Sequence, residues 1–479
     1  MEAAVEDARA SNRQVQAADL PADALLHRAL AQMVLDFEHV KKAGPFKLRS
    51  AKTLLSRDRE RAKILSRITG IIESDDPAAA IASLDPPHPQ YAAMLDAHRA
   101  YRTYAKNTCP TLVTTWKIRP GMTGDEVKRL QQRLACEGYY AGPIDGVFEG
   151  PALAAAKAYQ SHHEMKPDGM VFKGTLASMN VPLSKRIEQI RLALQRMRES
   201  DIGQMDDFFI RVNLPLFEVQ IYDKGEVIRR ERVIVGTNRL DDDKSRLVQG
   251  HLNRTKLFTT ELYQVIVNPS WILPARVVKG ELRGQIAKDP QYLEKNNIRE
   301  KTLPDGTKVY VQGRAGNVLG KVKFLLRESN AIYLHDTNKR GLFRERRRDF
   351  SHGCVRVQNA VDLAEWILKR EETNERDMRR VFKADSFERG FTLKKPIDLI
   401  TEYITVDISD AGRPIFLTDI YKYDRAYFDG NLPPMEQTRW GGIRLRPRWV
   451  PQVSEETVNA WRAKGMAAPR NYDPERHGK

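Results

Sequence analysis

The residues best able to do chemistry lie in two short stretches, Phe350-Ser351-His352-Gly353-Cys354-Val355-Arg356-Val357 and, upstream of it, Ile332-Tyr333-Leu334-His335-Asp336. A cysteine is a strong nucleophile only as its thiolate. A nearby imidazole favours that form because it accepts the proton and, once charged, pairs with the sulfur. His335 and His352 are the two candidates for this base. The pattern therefore predicts nucleophilic catalysis by Cys354.

The glycine before the cysteine indicates how the sulfur would be presented. Gly353 permits a tight backbone approach and a positive φ at a turn. We therefore expect the backbone amides of Gly353 and Cys354 to face the oxyanion that develops when the sulfur attacks a carbonyl. The two stretches would then supply a nucleophile, a base and a stabiliser of negative charge.

Other interpretations of the same residues stay open. His335, His352 and Cys354 are all good zinc ligands, which would make the chain a zinc peptidase, but no Cys-x-x-Cys or His-Glu-x-x-His pattern accompanies them. Cysteine and histidine are also often buried structural residues, which would leave a binding scaffold with an inactive site. We expect no metal and no other cofactor.

The order of His335, a loop, and then Ser351-His352-Gly353-Cys354 resembles the signature of L,D-transpeptidases of the YkuD type. The resemblance implies that Cys354 attacks a tetrapeptide stem of peptidoglycan, that D-Ala leaves, and that an amine acceptor resolves the thioester. It implies that His335 is the base and that His352 chiefly shapes the turn. It also implies labelling by carbapenem-type inhibitors. Some members of the family carry Asn where this chain has Arg356, and others carry Arg.

Stem peptides carry carboxylates, so the implied substrate requires cations. Arg356 is the first candidate, since a guanidinium can bind a carboxylate through two hydrogen bonds. The other residues that we expect to bind substrate, any of which could instead belong to the core, are Ser351, Tyr333, Asn317 and Trp271.

The composition is that of a globular protein with an anionic partner. Lys and Arg number 79 against 63 Asp and Glu, which gives a net charge of +16. Such a balance favours nucleic acid, an acidic membrane surface or a carboxylate-rich wall polymer. We expect no nucleic acid, because the charges are spread along the chain without a zinc-finger spacing or an aromatic RNA-binding run.

The implied wall enzyme works outside the cytoplasm. No apolar stretch approaches the roughly 20 residues that span a bilayer. The start, Met1-Glu2-Ala3-Ala4-Val5-Glu6, lacks the basic and then apolar order of a signal peptide. We therefore expect a periplasmic protein whose signal peptide is absent from this numbering. Cys109 and Cys136 could pair there or remain free thiols.

With 479 residues the chain is too long for one core. We expect a multidomain α+β protein. Helical periodicity dominates the first part, two Asp-Gly turns at Asp145 and Asp168 mark a near-repeat typical of peptidoglycan-binding domains, and the period changes to two beyond Gln204. Together with similarity to the YcbB-like subgroup, this predicts a helical scaffold over 19–108, a small helical peptidoglycan-binding domain over 111–183, a linker helix over 184–204, a β-rich YkuD-type catalytic domain over 205–408, and a C-terminal extension over 409–479.

Local patterns refine the catalytic domain. A polar, lysine-rich insertion at about 275–320 is interpreted as a lid, because long insertions between strands are often functional. Asn359 is expected to cap a helix over 360–370. The alternating segments predict strands at 208–213, 217–222, 227–236, 263–268, 331–335 and 397–407.

Overall fold

The computed structural model describes residues 85–429, apart from 115–116, 240, 244–247, 251–252, 274–276, 279–281, 314–316, 328–331 and 385–387, and also a few positions between 66 and 80. Most of the predicted scaffold before residue 85 lies outside this part, as does the tail beyond 429. The described residues fall into two compact units. The first ends at Gly203 and includes Val406–Ile415, and the second contains Gln204–Thr405 and Phe416–Tyr423. The boundaries of the five predicted domains stay predictions.

The first unit is helical. Its helices are α1 (Tyr91–Tyr104), α2 (Asp125–Cys136), α3 (Gly150–His162), α4 (Lys173–Met179) and α5 (Leu183–Glu199). The predicted apolar stripe of α5 is largely buried, with Ile190, Leu194 and Met197 in the core, and α5 packs along α1. Cys109 and Cys136 form a disulfide.

The near-repeat of the first unit has a physical basis in two buried glutamines. Gln131 on α2 donates to Val147 O at 3.1 Å and accepts from the Gly146 amide at 2.8 Å. Gln160 on α3 makes the same pair of bonds to Met170 O at 3.0 Å and the Gly169 amide at 2.8 Å. Both glycines have positive φ, so each Asp-Gly turn is fixed by one amide side chain from the preceding helix. The helices and turns share one apolar core, which includes Leu130, Phe148, Ala156, Tyr159 and Val171.

The second unit is built on a sheet that closes on itself. The strands are β1 (Phe208–Asn213), β2 (Glu218–Asp223), β3 (Glu226–Gly236), β6 (Phe258–Val267), β10 (Val322–Leu326), β11 (Leu334–His335), β12 (Asp349–Ser351), β13 (Val355–Val357) and β14 (Arg389–Glu402), while β4 (Asp241–Asp243) and β5 (Val248–Gly250) form a separate hairpin. The pairing order β1-β2-β3-β13-β11-β10-β6-β14 returns to β1, and β12 adds to β3. Closure leaves few free edges on which another strand could pair.

Most predicted strands are confirmed, with differences at their ends. The segment over 263–268 is the last part of the longer β6, and of residues 332–335, the described part of the next segment, only Leu334–His335 is strand. The segment over 397–407 is divided, because β14 ends at Glu402 and β15 (Val406–Ile408) pairs instead with β16 (Pro414–Phe416). A buried ion pair holds the last residue of β14, because Arg211 Nε donates to Glu402 Oε2 at 2.7 Å.

Helices α8 (Ala360–Arg370) and α9 (Glu375–Lys383) follow the cysteine stretch, and a short α10 (Tyr423–Phe428) ends the described chain. The predicted cap of α8 is wrong. Asn359 occupies the N-cap position without a capping hydrogen bond, and its side-chain amide instead donates to Glu231 Oε2 at 2.9 Å. This charge-assisted bond turns the Asn359 side chain toward Glu231.

The predicted insertion has structure of its own. It contains β7 (Trp271–Ile272), α6 (Arg283–Lys288), α7 (Tyr292–Lys295), β8 (Ile298–Thr302) and β9 (Lys308–Gln312), with the three strands in the order β7-β9-β8. A small apolar core holds these elements together, formed by Leu273, Val277, Leu282 and Ile298. The segment is therefore a packed subdomain inserted after β6. Its role as a lid stays a prediction.

Among the described helices none combines the length and apolarity needed to cross a bilayer.

We predict that replacing Gln131 by Ala lowers the free energy of unfolding of the first unit by about 1–3 kcal/mol, because the Gly146 amide loses its acceptor. Thermal and urea unfolding, followed by circular dichroism, measure the change. Gln132→Ala is the matched control, since Gln132 is the next residue of α2 and is exposed. Equal losses in the two variants would show that the turn does not depend on Gln131.

Candidate active site

The candidate residues meet where three strands lie side by side. His335 on β11 is in register with Lys323 on β10 and with Arg356 on β13. Side chains alternate along a strand, so the residues two positions earlier, Tyr333 and Cys354, lie on the same face. The Val355 amide donates to Tyr333 O at 3.1 Å and fixes this second pair. The fold thus brings the two predicted stretches together.

The cysteine leaves a four-residue turn, Ser351–Cys354, which we call the nucleophile turn. Ser351 Oγ donates to Cys354 O at 2.5 Å and accepts from the Gly353 amide at 3.1 Å. Gly353 has φ +116, a conformation that other residues rarely adopt. The side chain of Ser351 is buried and closes the turn, and its contact with substrate stays a prediction.

The expected oxyanion role of the Gly353 amide stays a prediction. This amide is already bonded to Ser351 Oγ within the turn. A donor that is committed to a side chain of its own turn cannot also face an incoming carbonyl without breaking that bond. The glycine contributes the backbone conformation that places Cys354 at the start of β13.

The thiol of Cys354 is half-buried and faces Tyr333. Both the phenol and the backbone amide of Tyr333 hydrogen-bond the sulfur. The phenol in turn bonds the indole of Trp271, which can only donate, and Lys323 Nζ lies 4.0 Å from the centre of the Tyr333 ring. Burial raises the pKa of the Cys354 thiol above its ordinary 9.0, against the opposing effects of Tyr333, Lys323 and Arg356. The resting nucleophile is therefore a neutral thiol.

His335 is buried beside this pair, and its ring meets the Tyr333 ring edge to face at 5.6 Å. Nδ1 donates to the backbone carbonyl of Asp336. Because a carbonyl only accepts, this bond places the proton of the neutral ring on Nδ1 and leaves Nε2 basic. Burial, reinforced by the charges of Arg356 and Lys323, lowers the pKa of His335 to about 3. The imidazole is thus neutral at physiological pH.

The carboxylate of Asp336 has another task. Its Oδ2 accepts from the Lys321 amide at 2.9 Å, and Arg340 Nη2 donates to both carboxylate oxygens at 3.0 and 3.2 Å. The backbone carbonyl of Asp336 thus bonds the His335 ring, while its carboxylate bonds Lys321 and Arg340.

The remaining predicted residues divide between the site and its support. Asn317 is buried, and its amide donates to Pro269 O at 2.6 Å while its carbonyl accepts from the Leu319 amide at 2.8 Å. Both of its polar atoms hold a turn whose Leu319 carbonyl contacts His335, and its contact with substrate stays a prediction. Trp271 is half-buried at the base of the inserted subdomain. His352 is exposed.

Arg356 carries an unused hydrogen-bonding group. It is half-buried, and its Nε is enclosed by protein without a hydrogen-bond partner among the described residues. A buried donor that finds no partner costs free energy, which a bound anion would recover. Together with Lys323, which the sequence analysis did not single out, Arg356 makes the surroundings of the thiol cationic. The strand alternation from Val322 to Leu326 is the signal that could have identified Lys323.

Within the described residues no group of three or more His, Cys, Asp or Glu side chains is arranged to hold a metal ion. The three ligands considered for zinc, His335, His352 and Cys354, thus do not form such a group.

Two family descriptions match the chain. The YkuD model, described as "L,D-transpeptidase catalytic domain", covers residues 207–381. A second model, described as "Putative peptidoglycan binding domain", covers residues 123–179. These ranges contain the nucleophile turn and the paired Asp-Gly turns respectively.

A protein from Haemophilus influenzae named "Putative L,D-transpeptidase" is 31% identical over 283 residues, which cover 53% of this chain and 55% of that protein. The chain therefore spans about half the length of this relative. Solved structures also match. An L,D-transpeptidase from Xylanimonas cellulosilytica has 16% identity and a TM-score of 0.22, covering 60% of this chain and 99% of that one. One from Mycobacterium smegmatis has 15% identity and a TM-score of 0.21, covering 41% and 58%.

A third, titled as an Ldtfm-avibactam carbamoyl enzyme, has 11% identity and a TM-score of 0.21, covering 64% and 98%. The sequence match over 207–381 includes every strand of the closed sheet except β14, and it contains Cys354 and His335. Residues 207–381 of this chain are thus similar to the YkuD family of L,D-transpeptidase catalytic domains.

Proposed function

We propose that the protein is a peptidoglycan L,D-transpeptidase with Cys354 as its nucleophile. The observation that carries the proposal is the half-buried thiol of Cys354, set between Tyr333, Lys323 and Arg356 on the sheet matched by the YkuD model. The sequence holds three cysteines, and two of them are joined in the disulfide. Cys354 is thus the one free thiol of the chain.

In the proposed reaction Cys354 Sγ attacks the carbonyl carbon between the third residue of a tetrapeptide stem and its terminal D-Ala. The thiol proton passes to Nε2 of His335 as the S–C bond forms. When the C–N bond breaks, the same proton goes to the leaving amine of D-Ala. An acceptor amine then attacks the thioester and gives a proton to His335. The C–S bond breaks, and His335 returns the proton to the sulfur, so that both groups are neutral again. Chemistry of this kind requires a base that is neutral at rest, as His335 is.

The two cations near the thiol suit a substrate with carboxylates. We assign Arg356 to bind a stem carboxylate, because its Nε lacks an acceptor and its guanidinium can offer paired donors. Lys323 would add attraction without a fixed geometry. Trp271 and Tyr333 would line the path to the sulfur, and they connect it to the inserted subdomain.

The helical module over 123–179 supports a wall-bound location. We infer that it holds glycan or stem peptide near the catalytic unit, and that the protein works in the periplasm. The disulfide between Cys109 and Cys136 favours an oxidising compartment. Carbapenem-type compounds, which acylate cysteine through a strained amide, are the expected inhibitors.

We predict that Cys354→Ala abolishes covalent labelling by a carbapenem and formation of cross-linked stem dimers, since it removes the attacking sulfur. Intact-protein mass spectrometry detects the adduct, and chromatography of muropeptides detects the product. Wild-type protein is the positive control. A labelled Cys354→Ala protein would contradict the assignment, and an unlabelled wild type that still binds sacculi would favour a non-catalytic scaffold.

The two histidines provide a matched pair. We expect His335→Gln to slow carbapenem acylation by about 10²–10⁴, the usual contribution of a general base. We expect His352→Gln to change the acylation rate by less than about threefold, because this side chain is exposed. Stopped-flow absorbance gives the rates, and a thermal unfolding midpoint for each variant controls for misfolding. A larger loss in the His352 variant would reverse the assignment of the base.

Because burial raises the thiol pKa and lowers that of His335, alkylation of Cys354 has a defined pH dependence. The rate with iodoacetamide should keep rising up to a pH above 9.0, with no step near pH 6.5, since His335 stays neutral there. The urea-unfolded protein is the control, and its thiol should titrate near the ordinary value of about 8.5. A plateau already reached by pH 7 would indicate a resting thiolate and contradict the neutral pair.

A further inference from the structure

A hydrogen-bonded chain reaches the nucleophile turn from outside the two predicted stretches. It begins with a close packing of two backbone segments. An added Cβ at Gly236, the last residue of β3, would lie 2.0 Å from Asn253 O and 2.5 Å from Thr255 N. Only glycine therefore lets residues 253–255 rest on the end of β3. This contact brings Thr255 next to the turn.

The hydroxyl of Thr255 is saturated by two backbone groups. It accepts from the Gly236 amide at 2.8 Å and donates to the Gly353 carbonyl at 2.9 Å. Thr255 is almost completely buried, with 1% of its surface exposed. The bond to Gly353 therefore exchanges little with water, and it ties the peptide between Gly353 and Cys354 to the end of β3.

Tyr421 holds Thr255 in turn. Its hydroxyl donates to Gly236 O at 2.7 Å and accepts from the Thr255 amide at 3.1 Å. Its own backbone amide donates to the hydroxyl of Tyr403 at 2.8 Å, and that hydroxyl donates to Asp419 at 2.5 Å. Tyr421 lies outside residues 207–381, the range matched by the family model.

We propose that Thr255 and Tyr421 are positioning residues that orient the peptide between Gly353 and Cys354 and thereby the attacking sulfur, a role that rests on the proposed function. A trans peptide is planar, so fixing the direction of its carbonyl also fixes the direction of its N–H. Thr255 on one side of this peptide thus determines where the Cys354 amide and the attached Cβ and sulfur point. Neither residue touches the substrate in this scheme.

The test is acylation of the full chain by a carbapenem, followed at several concentrations to separate the limiting rate from the concentration that gives half of it. Thr255→Val keeps the shape of the side chain and removes both hydroxyl bonds. We expect the limiting rate to fall by about tenfold or more, as is usual when a reacting group loses its orientation. The half-saturating concentration should change by less than about threefold, because the substrate contacts remain.

Matched variants separate positioning from general damage. Thr401→Val also removes a buried hydroxyl with backbone partners, namely the Phe258 amide at 2.8 Å, Lys256 O at 3.0 Å and Phe258 O at 3.2 Å. None of these groups belongs to the nucleophile turn. It should lower the unfolding midpoint without a comparable fall in the limiting rate. Thr255→Ser restores the hydroxyl and should recover the wild-type rate to within about threefold. Tyr421→Phe should slow acylation in the same direction as Thr255→Val.

Equal rates for Thr255→Val and Thr401→Val would overturn the proposal, as would a Thr255→Ser protein as slow as Thr255→Val. Should Thr255→Val fail to fold, Tyr421→Phe and Thr255→Ser still decide the matter. A wild type that no carbapenem acylates would refute the proposed function instead. In that case the iodoacetamide rate at Cys354, compared between the two valine variants, still measures whether Thr255 controls the sulfur.

Discussion

The parallel pairing of two very short strands is the constraint on which the site depends. β11 has two residues and β13 has three, yet their register places His335 beside Arg356 and brings Tyr333 to Cys354. So few ladder bonds cannot by themselves hold a precise geometry. The neighbouring strands β10 and β3 supply the rest, because each pairs with one of the two and the sheet closes around them.

Desolvation then determines the chemistry of the site. An isolated thiol and imidazole in water differ by only a few pKa units, and a charged pair would be a reasonable resting state. Burial disfavours both charged forms here, and the cations Lys323 and Arg356 repel a proton on His335 while they favour a thiolate. Burial and the two cations have opposite effects on the pKa of Cys354, whereas both lower the pKa of His335. Both groups are therefore neutral at rest.

Much of this organisation could be predicted from the sequence. The His…Ser-His-Gly-Cys spacing identified the nucleophile stretch, and period-two alternation located β1, β2 and β3, because both signals are local. The differences concern side chains whose role depends on distant partners. The side chain of Asn359, predicted as a helix cap, donates to Glu231. The side chain of Asn317, predicted to bind substrate, donates to the backbone carbonyl of Pro269. Thr255 and Tyr421 carry no local pattern that would connect them to Gly353.

The topology of the closed sheet also has a consequence for the order in which the newly made chain matures. β14 is the strand that joins β1 to β6, and it runs parallel to β1. The ring cannot close before Glu402 has left the ribosome, and Tyr421 follows later still. A nascent or prematurely ended polypeptide would thus contain every residue of the cysteine signature and still lack an ordered site. An ordered site would thus arise only once the last segment of the second unit has been made.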